Sequence, residues 1–431
     1  MARVISSRST AHAQPAIAGT GYGALVSDPA GLLDLPAGFS YRVFSREGDA
    51  LSKGGLVPAS HDGMGAFSAS FFGSFLVRNH ELNVDDIAED GLTPVAHVAG
   101  RDYDPEAVGG TSTLLVSPQG RLISHKISLS GTLDNCAGGC TPWNTWLTCE
   151  ETFETLGKKH GYIFEVDPWR GGDPRPIVAL GRFEHEAISF GRDGRAYLTE
   201  DAGDPFGCVY RFTPTRPLAG PGSLHAGGTL QAMAFDGVDT DLSSVQQTGT
   251  VLPVRWVDVP NVDPNDDETP TREQAIGKGA TPIHKAEGTW RGVDGAIWLV
   301  SSYADGPDAE EAEDVTDALH KGQIWRYDPR GETAELVVQF GADTLYDGPD
   351  NLTVSPHGYA LVCTDGEDDN WLLGITPGGE VFPFARNAAT DDEFAGAVFS
   401  PDGRTLFVNI QGAPAFTLAI RGPFAAGGGR R

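Results

Sequence analysis

The sequence predicts an all-β protein, a six-bladed β-propeller with loop insertions covering one face. Two observations point there and a third fixes the number of blades. Short runs of β-branched and aromatic residues dominate, among them Tyr162-Ile163-Phe164-Glu165-Val166, Ile297-Trp298-Leu299-Val300 and Thr405-Leu406-Phe407-Val408, and few segments hold a helical apolar period. Turn signals such as Asp193-Gly194, Asp294-Gly295 and Asp402-Gly403 separate these runs, in a chain of 431 residues with 56 Gly and 29 Pro.

The third observation is a repeat. Glu186 precedes Gly194 by eight residues, and Gly194 precedes Asp201 by seven. The same spacing runs from Glu287 through Gly295 to Ser302, and from Asp350 through Gly358 to Asp365. Cys136, Asn144 and Glu151 keep it too, with Asn at the turn because its side chain tolerates the left-handed conformation. Looser copies start at Asp62, ending near Asn79-His80-Glu81, and at Glu393, passing Gly403. Six such units read as blades around an axis, forming one domain over residues 21–424. The strand at 40–44 is expected to close the ring by pairing within the last unit. Residues 215–280 and 305–317, Gly-rich or acidic, are expected to be insertions over one face. Residues 1–20 and 425–431 are expected to be flexible. Ala11-His12-Ala13, with Arg3 and Arg8 upstream, has the form of an export-signal remnant. An export signal would mean an extracellular or periplasmic location, a chance match the cytoplasm, and the residues alone leave both open.

Charge narrows the function classes. The formal net charge is -28, which repels nucleic acid and anionic lipid, so neither is expected as a partner. No run of about 18 apolar residues is present to span a membrane. Five cysteines make no disulfide framework. A monomer acting on a small molecule is expected.

The inner strand of each blade lines the channel, so residues at its start gather at one mouth. In register, these are Asp62, Cys136, Glu186, Glu287, Asp350 and Glu393. Like charges and desolvation would raise the pKa of such a ring, and bound cations are the simple remedy. Carboxylates suit calcium, and a thiolate adds a softer ligand suited to iron or zinc. A lone strand-starting acid is ordinarily a solvated edge charge, and a lone buried Cys ordinarily packs the core. The shared register sets these six apart. Cys140 and Cys149 are expected to pack, and Trp143 and Trp146 to form core or channel wall. His80 and His185 flank candidate acids, as ligands or as hydrogen-bond donors to substrate.

Several strings resemble the PhoX-type alkaline phosphatases: Asn79-His80-Glu81, Asn135-Cys136-Ala137-Gly138-Gly139, Thr141-Pro142-Trp143, Thr145 to Glu151, His185-Glu186, Pro349-Asp350-Asn351 and the stretch from Glu393 to Gln411. The resemblance implies iron and calcium at one end of the channel and hydrolysis of phosphate monoesters, with diesters as a second class. It implies Cys136 as an iron ligand and Glu81, Glu150, Glu186, Glu287, Asp350 and Glu393 as carboxylate ligands, with Asp201 and Asp365 as further candidates. Lys285-Ala286-Glu287 stands where that family carries Arg-Pro-Glu, so Lys285 is the expected phosphate-binding group, and His185 is expected to position the nucleophile or leaving group. Two other readings remain. Asp347 to Leu352 resembles the metal-binding strand of calcium-dependent lactonases, and the ring could belong to a non-enzymatic scaffold. Cys136 discriminates, since calcium has no use for a thiolate.

Overall fold

The β-rich runs pair as antiparallel strands, and turns tighten between them. A computed structural model describes residues 21–426 except 204–205, 239, 303, 306–317, 342–343 and 367–368, and leaves out the side chains of 304–305 and 318–319. Residues 1–20 and 427–431, expected to be flexible, and most of the insertion at 305–317 lie outside the described residues.

Three sheets have four strands each. One runs His61–Ser68, Ser74–His80, Gly109–Val116, Leu122–Thr132, and the next runs Asn135–Cys140, Trp146–Glu150, Ile163–Asp167, Gly171–Gly172. The third orders Phe394–Phe399, Thr405–Ile410, Phe416–Arg421 and, outermost, Ser40–Arg46. The N-terminal strand thus closes the ring, with Ser40 opposite Arg421 and Arg46 opposite Phe416. A six-stranded sheet starts at Pro349–Val354 and takes Leu33–Pro36 and Leu25–Val26 onto its outer edge.

The expectation of six separate blades needs correcting. The units beginning at Glu186 and Glu287 merge into one nine-stranded sheet. Val251–Asp258 joins them: residues 254–258 pair with Gly228–Phe235 of one unit, and residues 251–253 pair with Thr333–Gln339 of the other. Two stretches of 215–280, Gly228–Phe235 and Val251–Asp258, are therefore sheet rather than loop insertion. Its last part does pack on loops of the preceding units: Tyr162 Oη donates to Asp263 at 2.7 Å, and Thr271 Oγ1 of the helix Thr271–Ile276 donates to the Arg182 carbonyl at 2.9 Å. The fold is an all-β, propeller-like ring in which six inner strands belong to five large sheets.

Those inner strands touch in a closed circle, from His61–Ser68 through Asn135–Cys140, His185–Phe190, Thr289–Arg291, Pro349–Val354 and Phe394–Phe399 back to the first. Between neighbouring units lies an apolar layer. Examples are Phe164 and Val77, Ile188 and Leu147, Trp325 and Tyr197, Leu352 and Ile324, Phe394 and Leu372, and Leu76 and Phe407. Each buried Leu, Ile or Phe contributes about 1.5–3 kcal/mol, so these six layers supply most of the stabilisation.

Candidate metal centre

Five of the inner strands break their ladders near the start. The pairing shifts between His61 and Met64, Asn135 and Gly138, His185 and Ile188, Pro349 and Leu352, and Ala395 and Val398. A bulge frees a residue from the ladder and re-aims its side chain. The freed residues include Asp62, Cys136, Glu186 and Asp350. The bulged backbones approach closely enough to require glycine: a Cβ on Gly63 would sit 2.6 Å from Ala137 Cα, and one on Gly288 2.6 Å from Leu352 N.

The second strand of each unit adds another set. His61 pairs with His80, Asn135 with Glu150 and His185 with Glu200, so the next residues out are Glu81, Glu151 and Asp201. The two sets converge in three groups, each with donor atoms within 4.8 Å of one another: Asp62, Glu81 and Cys136; Cys136, Glu151 and Glu186; Glu186, Glu287 and Asp350. Cys136 and Glu186 are shared, so the groups form one continuous band around the axis. Cys136 Sγ lies 2.7 Å from Glu186 Oε2.

The donor chemistry fits metal ions. Oxygen and sulfur ligands bind within about 2.0–2.6 Å of such ions, so donors spaced this closely can share one. Burial first, and neighbouring carboxylates second, push Asp62, Glu151, Glu186 and Glu287 well above the usual carboxylate range. Asp350 is pushed up to about 7, and the Cys136 thiol is driven up in the same way. Asp62 Oδ1 is buried with no hydrogen-bond partner among the described residues. Cations at the band would remove both the repulsion and the missing partner. Lys285 supplies one positive charge at the rim, its Nζ 2.8 Å from Asp201 Oδ2 and 3.1 Å from Glu287 Oε1, with its side chain 39% exposed. Its φ of 40° is left-handed, a conformation that costs energy outside glycine.

Asparagines brace the band. Asn79 Nδ2 donates to the carbonyls of Cys136 and Ala137, both at 2.7 Å, and Asn79 Oδ1 accepts from Trp146 Nε1 at 2.9 Å. Asn351 donates to Glu186 Oε1 at 3.1 Å and accepts from Gly396 N at 2.9 Å. Asn409 donates to the Asp62 carbonyl at 2.5 Å.

Two expected site residues, Glu150 and His185, stand elsewhere. Glu150 turns away from the axis: Oε1 accepts from Leu133 N at 3.0 Å and faces His160 Nδ1 at 2.6 Å, while Oε2 accepts from Gly161 N and Tyr162 N at 3.0 Å each. Side chains alternate along a strand, so its neighbour Glu151 faces the band. The eight-and-seven spacing had ended on Glu151. His185 also points away, wholly buried, with Nε2 against the Gly181 carbonyl at 3.0 Å and its ring against Phe183, and burial lowers its pKa to about 3. Among the described residues its hydrogen bond goes to Gly181 and not to an acid of the band. Glu393 is close, raised by burial and by Asp350, but it arrives from the turn before its strand. Phe394 pairs with Ile410, which gives the register place to Ala395, eight residues before Gly403. That explains the looser spacing of this unit. His80 is held by the Ala59 carbonyl and Ser112 Oγ, at 2.7 and 2.6 Å. All five cysteines are free.

The family model of the alkaline phosphatase PhoX matches residues 20–128 and 121–414. The chain belongs to the PhoX family. Its architecture is similar to that of Pseudomonas fluorescens PhoX, solved in complex with vanadate, a transition state analogue: TM-score 0.73, 19% identity, covering 96% of this chain and 100% of that one. A gluconolactonase of Xanthomonas campestris gives a TM-score of 0.43 at 13% identity over 93% of this chain and 98% of that one, and virginiamycin B lyase of Staphylococcus aureus gives 0.40 at 12% over 88% and 99%. No curated protein matches the chain. Membership of the PhoX family makes the chain a phosphoester hydrolase. No helix among the described residues is long and apolar enough to cross a membrane.

Proposed function

We propose that this PhoX-family chain hydrolyses phosphate monoesters at the band of acids, holding iron and calcium there. The observation that carries the reading is the run of seven side chains, six carboxylates and one thiol, in three interlinked groups. Cys136 joins two of the groups and would give iron a thiolate, while Glu186, Glu287 and Asp350 offer oxygen alone and would suit calcium. Asp201, Asp365 and Glu393 lie next to this set and would complete it. Bound cations supply neutralisation of the phosphoryl oxygens and a lowered pKa for the attacking oxygen. The residues themselves do the rest. The carboxylates and the thiol give up their protons when cations load, so loading releases acid. Lys285, released in part from Asp201 and Glu287, reaches a phosphoryl oxygen as a point charge. It cannot make the two-pronged grip of arginine, so ground-state hold on the ester is weaker. Activity outside the cytoplasm, by a monomer, completes the reading.

The test is metal analysis of protein purified without chelator, followed by assay on a chromogenic phosphate monoester, a diester and a lactone. Iron with calcium and monoester turnover are expected. Calcium alone, with lactone but no phosphate turnover, would overturn the reading. Lys285→Ala is expected to raise KM by about tenfold, equivalent to about 1.4 kcal/mol of lost binding.

A further inference from the structure

A second unusual group lies off the axis, at the seam where the ring closes. Arg78, on Ser74–His80, is 0% exposed. Its Nη1 reaches Thr417 Oγ1 at 2.7 Å, Ser45 Oγ at 3.1 Å and His61 Nδ1 at 3.1 Å. Ser45 sits on the closing strand and Thr417 on the strand it pairs with, so one nitrogen ties the first unit to the last. None of these partners is an anion. His61 donates Nε2–H to the Pro58 carbonyl at 3.0 Å, which leaves Nδ1 as an acceptor and the ring neutral. His80, next along the same face, is engaged by Ala59 and Ser112.

The rest of the guanidinium has no partner. Nε and Nη2 are buried and lack any hydrogen bond among the described residues. These two nitrogens present their N–H groups to the same side and form the fork with which arginine grips anions. Burial alone lowers the pKa of Arg78, to about 9, and no carboxylate offsets it. A buried charge with no counter-charge is among the costliest features a fold can carry.

We propose that this fork binds a small monovalent anion, a halide such as chloride, which completes the closing seam. Thr417 and His61 are 0% exposed and Ser45 1%, so a compact, weakly hydrated ion is the anion class that fits. The site is separate from the acid band and serves ring closure rather than chemistry.

The experiment uses the metal-loaded full chain. Crystals grown in bromide are expected to show an anomalous peak beside Arg78 Nε and Nη2. In solution the melting temperature is expected to rise saturably, by a few degrees, with chloride or bromide against methanesulfonate at equal ionic strength. Arg78→Met is expected to abolish that dependence. Should the variant fail to fold, the bromide peak in the unaltered protein decides. An ordered water alone at the fork, with melting indifferent to halide, overturns the proposal.

Discussion

Glu150 and Glu151 are neighbours in sequence with opposite duties. Glu150 collects three backbone N–H groups and a histidine, and Glu151 faces Cys136 and Glu186. Glu150→Gln is expected to cost about 1–3 kcal/mol of stability and to leave metal content intact. Glu151→Gln is expected to lose metal and turnover, while its metal-free form melts no lower than the parent's, because one repulsive carboxylate has gone. Elemental analysis and thermal melts separate the two outcomes. The acids also set a pH dependence. Asp350 sits at about 7 when no cation is bound, against an ordinary value of 3.8. The metal-free folded chain therefore binds more protons than the unfolded chain between these values. Its stability falls as pH rises from about 4 to 7. Burial lowers the pKa of His61, His80 and His185, and these act with the opposite sign, losing stability as pH falls. They do so with or without metal. The difference between the chelator-treated and metal-loaded melting curves is thus expected to widen from pH 4 to 7, and a constant difference would contradict this account.

Among the strands, the tightest constraint is backbone against backbone. Gly63→Ala and Gly288→Ala put a methyl group where Ala137 Cα and Leu352 N already stand. Each is expected to cost about 1–3 kcal/mol and to lower metal occupancy, because the backbone that carries Asp62 or Glu287 must shift away from its neighbour. Melting and metal stoichiometry on the same preparations test this. The spacing from Glu186 to Gly194 to Asp201 was legible because it is local: one strand, one turn, one strand. From it came the order of the units, the ring of acids and the thiol among them. What escaped was non-local. Val251–Asp258 divides its pairing between strands about 20 residues before it and 80 after it, and nothing in its own residues announces that. His185 lies beside Glu186, but only the alternation of side chains along the folded strand sends it toward Phe183. Counting from Glu393 misled for a related reason: only the pairing of Phe394 with Ile410 reveals Ala395 as the register position.

At the scale of the molecule, the ring is held by six apolar layers and one closing strand. Removing Ser40–Arg46 takes no residue from the acid band, yet it leaves the outer edge of Phe416–Arg421 unpaired and opens the seam at Arg78. A chain starting at residue 47 is expected to lose its metals as well as its stability. Retention of full metal content by that chain would show that the band assembles without closure. Closure also has a timetable. Ser40 and its partner Arg421 are 381 positions apart (421 − 40). At about 5–20 residues per second, the early strand waits about 20–75 s on the ribosome for its mate. During that time it is an unpaired edge, open to the wrong neighbour. The band draws on residues from Asp62 to Asp350, so its full set of acids exists well before the strand that closes the ring has found its mate.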